Sequence, residues 1–437
     1  MSNPNKPWLK NYPEGVPHDI DISAYSSLVD MFEESFMEYP SRKACEYMGK
    51  FFTYRDLDHH SKHFAAYLQG LGLEQGARVA IMLPNVVQFQ IAMLGILRAG
   101  YVVVNVNPLY TSRELEYQLK DSGATALIIL ENFAHVYQQI QKNVPLKKVV
   151  VTSLGELIGL KGVLVNFVVR KVKKVVPQWS LEHDSFNQAL SMGANKPYVK
   201  ASTKPDDIAF LQYTGGTTGV SKGAILLHRN ILSNVLQTEV WLEPALQKRN
   251  IEQLVFLCAL PLYHIFALTA CALFGMRKGA MLILVPNPRD INGFIKMLSK
   301  HPQIHIFPGV NTLFNALLHH PQFDSHLLPD LLVTIGGGTA VQKGVADRWQ
   351  KVTGVPIAEG YGLSETSPVA CVNTPIITAF TGTIGLPVPG TEVKIVDDAG
   401  AELPFGAPGE IAIRGPQVMA GYWNKPEDTR NVFTSDG

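Results

Sequence analysis

The 437-residue sequence has almost no net charge, because 38 lysines and arginines oppose 37 aspartates and glutamates. A protein that binds nucleic acid mainly through charge would have a basic excess, so we predict no nucleic-acid partner. Only 17% of the residues are charged and 46% are hydrophobic. This composition excludes a disordered chain and predicts a large buried core.

Cysteine is scarce as well. Cys45, Cys258, Cys271 and Cys371 have neither the CxxC spacing nor the nearby histidines of a structural zinc site, and they indicate no disulfide framework. We predict four buried thiols in a reducing compartment. The polar, proline-rich residues 1–19 lack the apolar core of a secretory signal, so we expect a cytoplasmic location.

Two segments lack charge of one or both signs. Residues 253–276 contain no Asp, Glu, Lys or Arg and are long enough to span a bilayer, but Pro261 interrupts them. They favour a buried strand over 254–260, a turn, and a buried helix from about Ile265 to Met276.

Residues 157–179 have five basic residues, no acid and apolar residues at helical spacing. This pattern fits equally a helix that covers the core and one that lies on an anionic membrane.

The rest of the chain alternates between strand and helix patterns, which predicts an α/β fold with parallel sheets covered by helices. We place a first α/β lobe at residues 1–203, a second at 204–380 and a β-rich unit at 381–437. Predicted strands include 78–84, 101–106, 124–130, 208–213, 281–285, 304–307, 331–335, 392–396 and 410–414, and predicted helices include 87–97, 111–123 and 311–318.

The strongest local motif is a Gly/Thr-rich loop that directly follows an apolar strand. Glycines there allow successive backbone N–H groups to point into one concavity, threonines add hydroxyl donors, and Lys222 adds a positive charge suited to phosphate oxygens. The loop is not a Walker A motif, because Ser221 precedes Lys222 and Gly223 follows it. The predicted nucleotide-binding residues are Tyr213, Thr214, Gly215, Gly216, Thr217, Thr218, Gly219, Val220, Ser221, Lys222, Gly223 and Ala224.

This loop resembles the signature of the acyl-adenylate-forming enzymes, and three further segments resemble motifs of that family in the same order. They are 260–266 (LPLYHIF), 359–366 (EGYGLSET) and 409–423 (GEIAIRGPQVMAGYW). Segments 105–111 and 309–315 are similar to the branch that activates long-chain fatty acids. Ser221 and Ser364 depart from the family's usual Pro and Thr. The resemblance implies two α/β lobes and a small β-barrel-like subdomain. It also implies a mobile C-terminal domain with a catalytic lysine, so we expect residues 1–437 to be the large N-terminal domain, with little complete turnover of its own.

The resemblance further implies that a fatty carboxylate reacts with ATP to give acyl-AMP, and that CoA then displaces AMP. It assigns Lys222, Glu365, His264 and Thr366 to catalysis, and Glu365 to Mg²⁺. Further nucleotide contacts are expected from Gly336, Gly337, Gly338, Glu359, Gly360, Tyr361, Gly362 and Ser364. The acyl chain is expected to contact His264, Ile265, Phe266, Pro308, Val310, Leu313 and Phe314.

Each of these residues also has an ordinary structural interpretation. Glu365 alone is a helix N-terminal charge, and His264, Tyr361 and the apolar residues are core. Two other functions stay open: ligation of a different carboxylic acid, and a non-catalytic module that binds ATP or acyl chains. Peripheral contact with the inner face of a membrane and homodimer formation also stay open.

Overall fold

Two large sheets and one hairpin organise the chain. The computed structural model describes residues 6–215, 220–247 and 251–437. The strands are β1 Lys43–Tyr47, β2 Lys50–Thr53, β3 Arg78–Met82, β4 Val102–Asn105, β5 Ala124–Leu130, β6 Lys148–Thr152, β7 Asp184–Ser185, β8 Ile208–Tyr213, β9 Gly223–Leu227, β10 Val255–Cys258, β11 Met281–Leu284, β12 Ile306–Gly309, β13 Val333–Gly336, β14 Ile357–Gly362, β15 Val369–Val372, β16 Leu386–Pro387, β17 Glu392–Val396 and β18 Glu410–Arg414.

Helices connect most of these strands. They are α1 Leu28–Glu38, α2 Tyr54–Gln69, α3 Val87–Arg98, α4 Ser112–Ser122, α5 Ala134–Ile140, α6 Leu160–Phe167, α7 Phe186–Ala194, α8 His228–Leu246, α9 Ile265–Ala267, α10 Phe274–Arg277, α11 Ile291–Leu298, α12 Asn311–Leu318, α13 Lys343–Thr353 and α14 Pro426–Val432. A π-helical segment, Val168–Val172, continues α6, and another, Leu268–Leu273, joins α9 to α10. Short 3-10 helices lie at Pro7–Asn11, Ser325–Leu327 and Ser364–Thr366.

The two sheets confirm the α/β fold class. The seven-stranded sheet has the order β7-β6-β5-β3-β4-β8-β9, and all its pairs are parallel except β8 with β9. The nine-stranded sheet has the order β16-β15-β14-β13-β12-β10-β11-β1-β2. It is parallel from β14 to β1 and antiparallel at both edges.

The predicted boundary between residues 203 and 204 does not separate these sheets. Strand β8 belongs to the first sheet, where Leu211 pairs with Val104 of β4. Strand β1 belongs to the second sheet, where Cys45 pairs with Leu282 of β11. The composition change near residue 203 marks a loop between elements, whereas sheet membership depends on pairing between distant strands.

The C-terminal β-rich segment contains one hairpin. Strands β17 and β18 pair antiparallel from Glu392 with Arg414 to Val396 with Glu410, as their turn residues predict. Within the described residues they form a separate two-stranded sheet and not a closed barrel. Strand β16 lies before them and pairs with β15 at the edge of the second sheet.

One hydrophobic cluster joins both sheets. It contains residues of β3, β4 and β8 from the first sheet and of β1, β10 and β11 from the second. Helix α3 is buried along its whole length, and most of its residues are apolar and belong to this cluster; its polar residues Gln88, Gln90 and Arg98 are buried as well. The four cysteines are free and buried, as predicted.

The uncharged segment 253–276 lies in the core. It forms β10 and the helix that starts at Ile265, and nearly all of its residues from Val255 onward are buried. Across the described ranges, no helix combines the length and the apolar character needed to cross a bilayer.

Candidate active site

A cavity of about 1060 Å³ lies at the carboxyl ends of strands from both sheets. Tyr213 at the end of β8, Gly337 just after β13 and Gly362 at the end of β14 line it, together with His264, which follows β10. In open α/β sheets this end of the strands is where ligands bind. The cavity therefore lies where the fold alone predicts a site, and its lining includes residues of all four motifs.

The Gly/Thr-rich loop is the connection of an antiparallel hairpin, since β8 pairs with β9 through Tyr213 and Gly223. The Thr214 N–H donates to the Lys222 carbonyl at 3.0 Å, and the Ser221 hydroxyl donates to the Thr214 carbonyl. These bonds close the base of the loop. A Cβ on Gly223 would lie 3.1 Å from the Tyr213 ring, so glycine suits this position.

The structure places some of the predicted loop residues at the cavity, and others lie outside the lining or outside the described residues. Thr214, Gly215, Val220 and Lys222 line the cavity together with Tyr213. The Tyr213 hydroxyl donates to Asp121 at 2.7 Å, and burial, followed by this carboxylate, raises the pKa of Tyr213 well above its usual value. Buried Ala224 is outside the lining. The predicted contacts Gly216, Thr217, Thr218 and Gly219 lie outside the described residues.

The Lys222 ammonium lies between a carboxylate and an aromatic ring. It forms an ion pair with Asp428 of α14 and lies 5.3 Å from the centroid of the Tyr422 ring. The two partners of the ion pair are 34% and 37% exposed. Asp428 therefore supplies a negative charge next to Lys222.

Glu365 is held by the segment that follows β18. Its Oε1 accepts a hydrogen bond from the Tyr422 hydroxyl at 2.6 Å, and its backbone carbonyl accepts one from Met419 N–H at 2.8 Å. Burial, followed by the Glu365 carboxylate, raises the pKa of Tyr422 far above neutral pH. The phenol thus keeps its proton and remains a donor to Glu365, whose carboxylate lines the cavity.

Thr366 does not line this cavity, although the resemblance assigns it to catalysis. Its hydroxyl is buried, donates to the Pro368 carbonyl and accepts from Leu363 N–H at 2.9 Å. Its partners are thus backbone groups of the turn that presents Glu365. Ser364 does line the cavity.

The glycines at the end of β13, after it and in β14 lie in close packing at or beside the cavity. A Cβ on Gly336 would lie 2.6 Å from Val341, and one on Gly337 would lie 3.0 Å from the Phe266 ring. Gly337 and Gly338 line the cavity, as do Gly360, Tyr361 and Gly362, whereas Gly336 and Glu359 do not. Instead, Glu359 Oε1 accepts from Val341 N–H at 3.0 Å and fixes the loop after Gly338.

His264 caps the helix that begins at Ile265. Its Nδ1 accepts from Phe266 N–H at 3.4 Å, while its ring is open to the cavity. Surrounding protein lowers the pKa of His264, so the imidazole is neutral at pH 7. A neutral imidazole has one N–H donor to offer to a carboxylate.

Beyond His264 the cavity becomes apolar, and the residues there differ from those predicted for the acyl chain. Ile265 and Phe266 line it, but Pro308, Val310, Leu313 and Phe314 do not. Phe314 packs against Trp349 in the core behind the second sheet. The lining comes from α8, the π-helical segment, strands of the second sheet and the residue after β16, namely Thr238, Trp241, Leu242, Ala270, Ile335, Val369, Val372 and Val388.

Some of these missed residues have a sequence signal and others do not. Thr238, Trp241 and Leu242 have the i, i+3, i+4 spacing of one helix face, but that spacing also fits an ordinary core helix. Tyr422 lies inside the motif 409–423. Asp428 has no signal, because its pairing with Lys222 joins residues far apart in sequence.

The geometry defines a site with cationic, carboxylate and glycine-rich groups at one end and apolar groups at the other, and the comparisons identify its class. The family model described as AMP-binding enzyme matches residues 32–423. The chain belongs to this AMP-binding enzyme family. The predicted resemblance to adenylate-forming enzymes is thereby confirmed.

Relatives with curated names agree with this assignment. The chain is 50% identical over 431 residues to a long-chain-fatty-acid–CoA ligase of Escherichia coli O6:H1, covering 98% of this chain and 76% of that protein. It is 36% identical over 435 residues to a long-chain-fatty-acid–CoA ligase of Bacillus subtilis, with the same two coverages.

Solved structures share the fold. The anthranilate CoA ligase AuaEII in complex with anthranoyl-AMP matches with a TM-score of 0.80 and 25% identity, covering 94% of this chain and 74% of that one. A long-chain-fatty-acid-CoA ligase from Archaeoglobus fulgidus matches with a TM-score of 0.80 over 98% of this chain and 82% of that one; at 21% identity it supports the fold alone.

Proposed function

We propose that this protein is an AMP-forming ligase that activates long-chain fatty acids with ATP and transfers the acyl group to CoA. The observation that carries the proposal is the single cavity, which connects Lys222 and Glu365 to the apolar wall formed by α8. The relatives named long-chain-fatty-acid–CoA ligase, at up to 50% identity, support the same substrate class.

In the first half-reaction a carboxylate oxygen of the fatty acid attacks the α-phosphorus of ATP. A bond forms between that oxygen and phosphorus, the bond from phosphorus to the bridging oxygen breaks, and pyrophosphate leaves. In the second, the CoA sulfur attacks the acyl carbon, AMP leaves, and the thiol gives up its proton. The mixed anhydride is needed because a free carboxylate has no adequate leaving group.

The first step brings two anions together, so positive charge and alignment supply most of the catalysis. We assign Lys222 and the backbone of its loop to the phosphates, which would displace Asp428 from the ammonium. The Tyr361 ring is assigned to the adenine base, and Gly337 and Gly338 allow the nucleotide to lie against the backbone.

Glu365 is the residue that would hold Mg²⁺. Mg²⁺ is commonly bound by one or two carboxylates with phosphates and waters, and the Glu365 carboxylate, which lines the cavity beside the phosphate loop and is not paired with Lys222, fits that pattern. When bound, the ion neutralises part of the phosphate charge. The described residues contain no cluster of three or more ligating side chains, so the ion would come with the nucleotide.

The fatty acid is assigned to the apolar end of the cavity. His264 lies between the two ends, and its neutral imidazole would donate to the carboxylate and orient it. Trp241 is part of this apolar lining, and its buried indole is held in place by the N–H, which donates to the Asn373 carbonyl at 3.3 Å. Each buried CH₂ contributes about 0.8 kcal/mol, so a long chain supplies much of its own affinity.

ATP–pyrophosphate exchange by the full-length protein tests the proposal with saturated acids of increasing length and with anthranilate and 4-coumarate as aryl acids. We expect the highest kcat/KM on a long-chain acid. The highest value on an aryl acid would replace the proposed substrate with that of relatives such as 4-coumarate–CoA ligase 5 of rice, 31% identical. Nucleotide binding without exchange on any acid would instead indicate a non-catalytic module.

A further inference from the structure

Helix α6 and the segment after it expose apolar side chains to solvent, whereas a helix that covers a core would bury them. Leu160, Val163, Leu164 and Phe167 are 91%, 68%, 63% and 57% exposed. At about 100° per residue, these four side chains fall within about one third of the helix circumference. They form a continuous apolar stripe that points away from the protein.

The opposite face of α6 explains this orientation. Gly162 packs so closely on Gly155 that a Cβ at either position would clash with the carbonyl oxygen of the other. One turn later, Asn166 Oδ1 accepts from Gly155 N–H at 2.7 Å and Asn166 Nδ2 donates to Ser153 Oγ at 2.9 Å. Polar and backbone contacts therefore attach α6 to the protein through this face. Its apolar side chains take no part in the attachment and face solvent.

The charged residues of the segment itself have one sign. Lys171, Lys173 and Lys174 follow it, are exposed and have no acidic partner within the part of the chain that the structure describes. Arg170 is paired with Glu131 at 2.8 Å, and residues 157–181 include no Asp or Glu. A solvent-facing apolar stripe next to unpaired lysines is complementary to an anionic bilayer surface, where apolar side chains enter the interface and lysines meet lipid phosphates.

We propose that residues 160–175 form a membrane-docking surface, in which the stripe of α6 inserts into the interface of an anionic lipid bilayer and Lys171, Lys173 and Lys174 contact its headgroups. This use of the segment differs from covering the core, because only Gly162 and Val169 of residues 160–175 are buried. The inference does not depend on the reaction assigned to the cavity.

Flotation of the full-length protein with vesicles tests the surface, using phosphatidylcholine alone and phosphatidylcholine mixed with phosphatidylglycerol. We expect binding to the mixed vesicles that weakens with added salt. Each lysine near an anionic surface contributes about fivefold to the partition coefficient, so changing all three to Gln should weaken binding by up to about 100-fold. The matched control changes Lys142, Lys300 and Lys351, three exposed lysines elsewhere, to Gln and should leave binding unchanged.

The apolar part is tested by Leu164→Ser with Phe167→Ser, and the control is Phe405→Ser at a loop position that is 91% exposed. The α6 variant should lose most binding to mixed vesicles, and the control should not. Equal thermal unfolding temperatures would establish that both are folded. Unchanged flotation of the lysine and serine variants would overturn the proposal, as would a concentration-dependent dimer that the serine variant abolishes, which would assign the stripe to a second copy of the chain.

Discussion

Two residues at the phosphate end of the cavity have partners within the protein. Lys222 is paired with Asp428, and Glu365 accepts from Tyr422. Both partners lie after β18, in the last part of the chain. In the proposed reaction ATP competes with Asp428 for the ammonium, and Tyr422 orients the carboxylate that would hold the metal ion.

Asp428→Asn therefore makes ATP binding easier. Because the ion pair is about one third exposed, its contribution is at most about 1 kcal/mol, so KM for ATP should fall by up to about fivefold with kcat unchanged. Steady-state kinetics measures both. Glu427→Gln, on the same helix and 86% exposed, is the matched control and should change neither. A large fall in kcat for Asp428→Asn would mean that this carboxylate takes part in the reaction itself.

His228 makes stability depend on pH. It is buried, its Nδ1 accepts from Leu28 N–H at 3.2 Å, and burial lowers its pKa from 6.5 to about 4 despite the opposing charges of Asp207 and Asp30. Between these two values the unfolded chain binds a proton that the folded chain does not. The stabilisation is therefore complete above pH 6.5 and is lost as the pH falls towards 4.

Urea unfolding at pH 7.5 and pH 5 checks this effect with His228→Asn, whose side-chain oxygen retains an acceptor. The wild type should lose roughly 2 kcal/mol more of its unfolding free energy between these pH values than the variant loses. Equal losses would show that another group causes the acid sensitivity.

At the scale of elements, the sequence predicted local structure better than assembly. Strands Ala124–Leu130 and Ile208–Tyr213 and helix Asn311–Leu318 have the predicted bounds, and Thr111 caps α4 with a capping box to Glu114. These features depend on neighbouring residues. By contrast, the sheet to which β1 or β8 belongs depends on pairing with strands far away in sequence. The cavity wall likewise depends on distant packing, which places residues of α8 there and not the predicted Leu313 and Phe314.

Gly162→Ala tests how α6 is attached. The new Cβ would meet the Gly155 carbonyl, so we expect a loss of a few kcal/mol of unfolding free energy or a displaced helix. Gly344→Ala in α13 is the matched control, because no atom lies within 4 Å of its Cβ position. It should be neutral or stabilise by up to about 1 kcal/mol. Thermal unfolding of both variants is the measurement, and a Gly162→Ala protein as stable as the wild type would contradict this packing.

Ala270→Leu tests the apolar wall. Ala270 lies on the π-helical segment and lines the cavity, so a larger side chain should displace the end of a long acyl chain. Losing two buried CH₂ groups amounts to about 1.6 kcal/mol, which is roughly 15-fold in kcat/KM for long acids relative to medium ones. Lys222→Met should instead lower kcat/KM for all acids alike. An unchanged chain-length profile for Ala270→Leu would mean that the acyl chain lies elsewhere.

For the whole molecule, the essential feature is that two sheets and the segment after β18 meet at one cavity. The first sheet contributes the loop with Lys222, the second contributes the glycines and Glu365, and helix α8 contributes the apolar wall. The motifs indicated part of the polar end from sequence, including Lys222, Glu365 and the glycines after β13, but not Asp428. The apolar end could not be predicted, because the residues that face the cavity are determined by how α8 packs against the second sheet.

The most direct test of this account is the rate at which the full-length protein forms acyl-AMP from ATP and a long-chain fatty acid, compared with a variant that combines Lys222→Met and Glu365→Gln. Because both side chains are assigned to the phosphates and their metal ion, the variant should be slower by at least about 100-fold while remaining folded. Acyl-AMP formation at the wild-type rate in the variant would contradict the central claim.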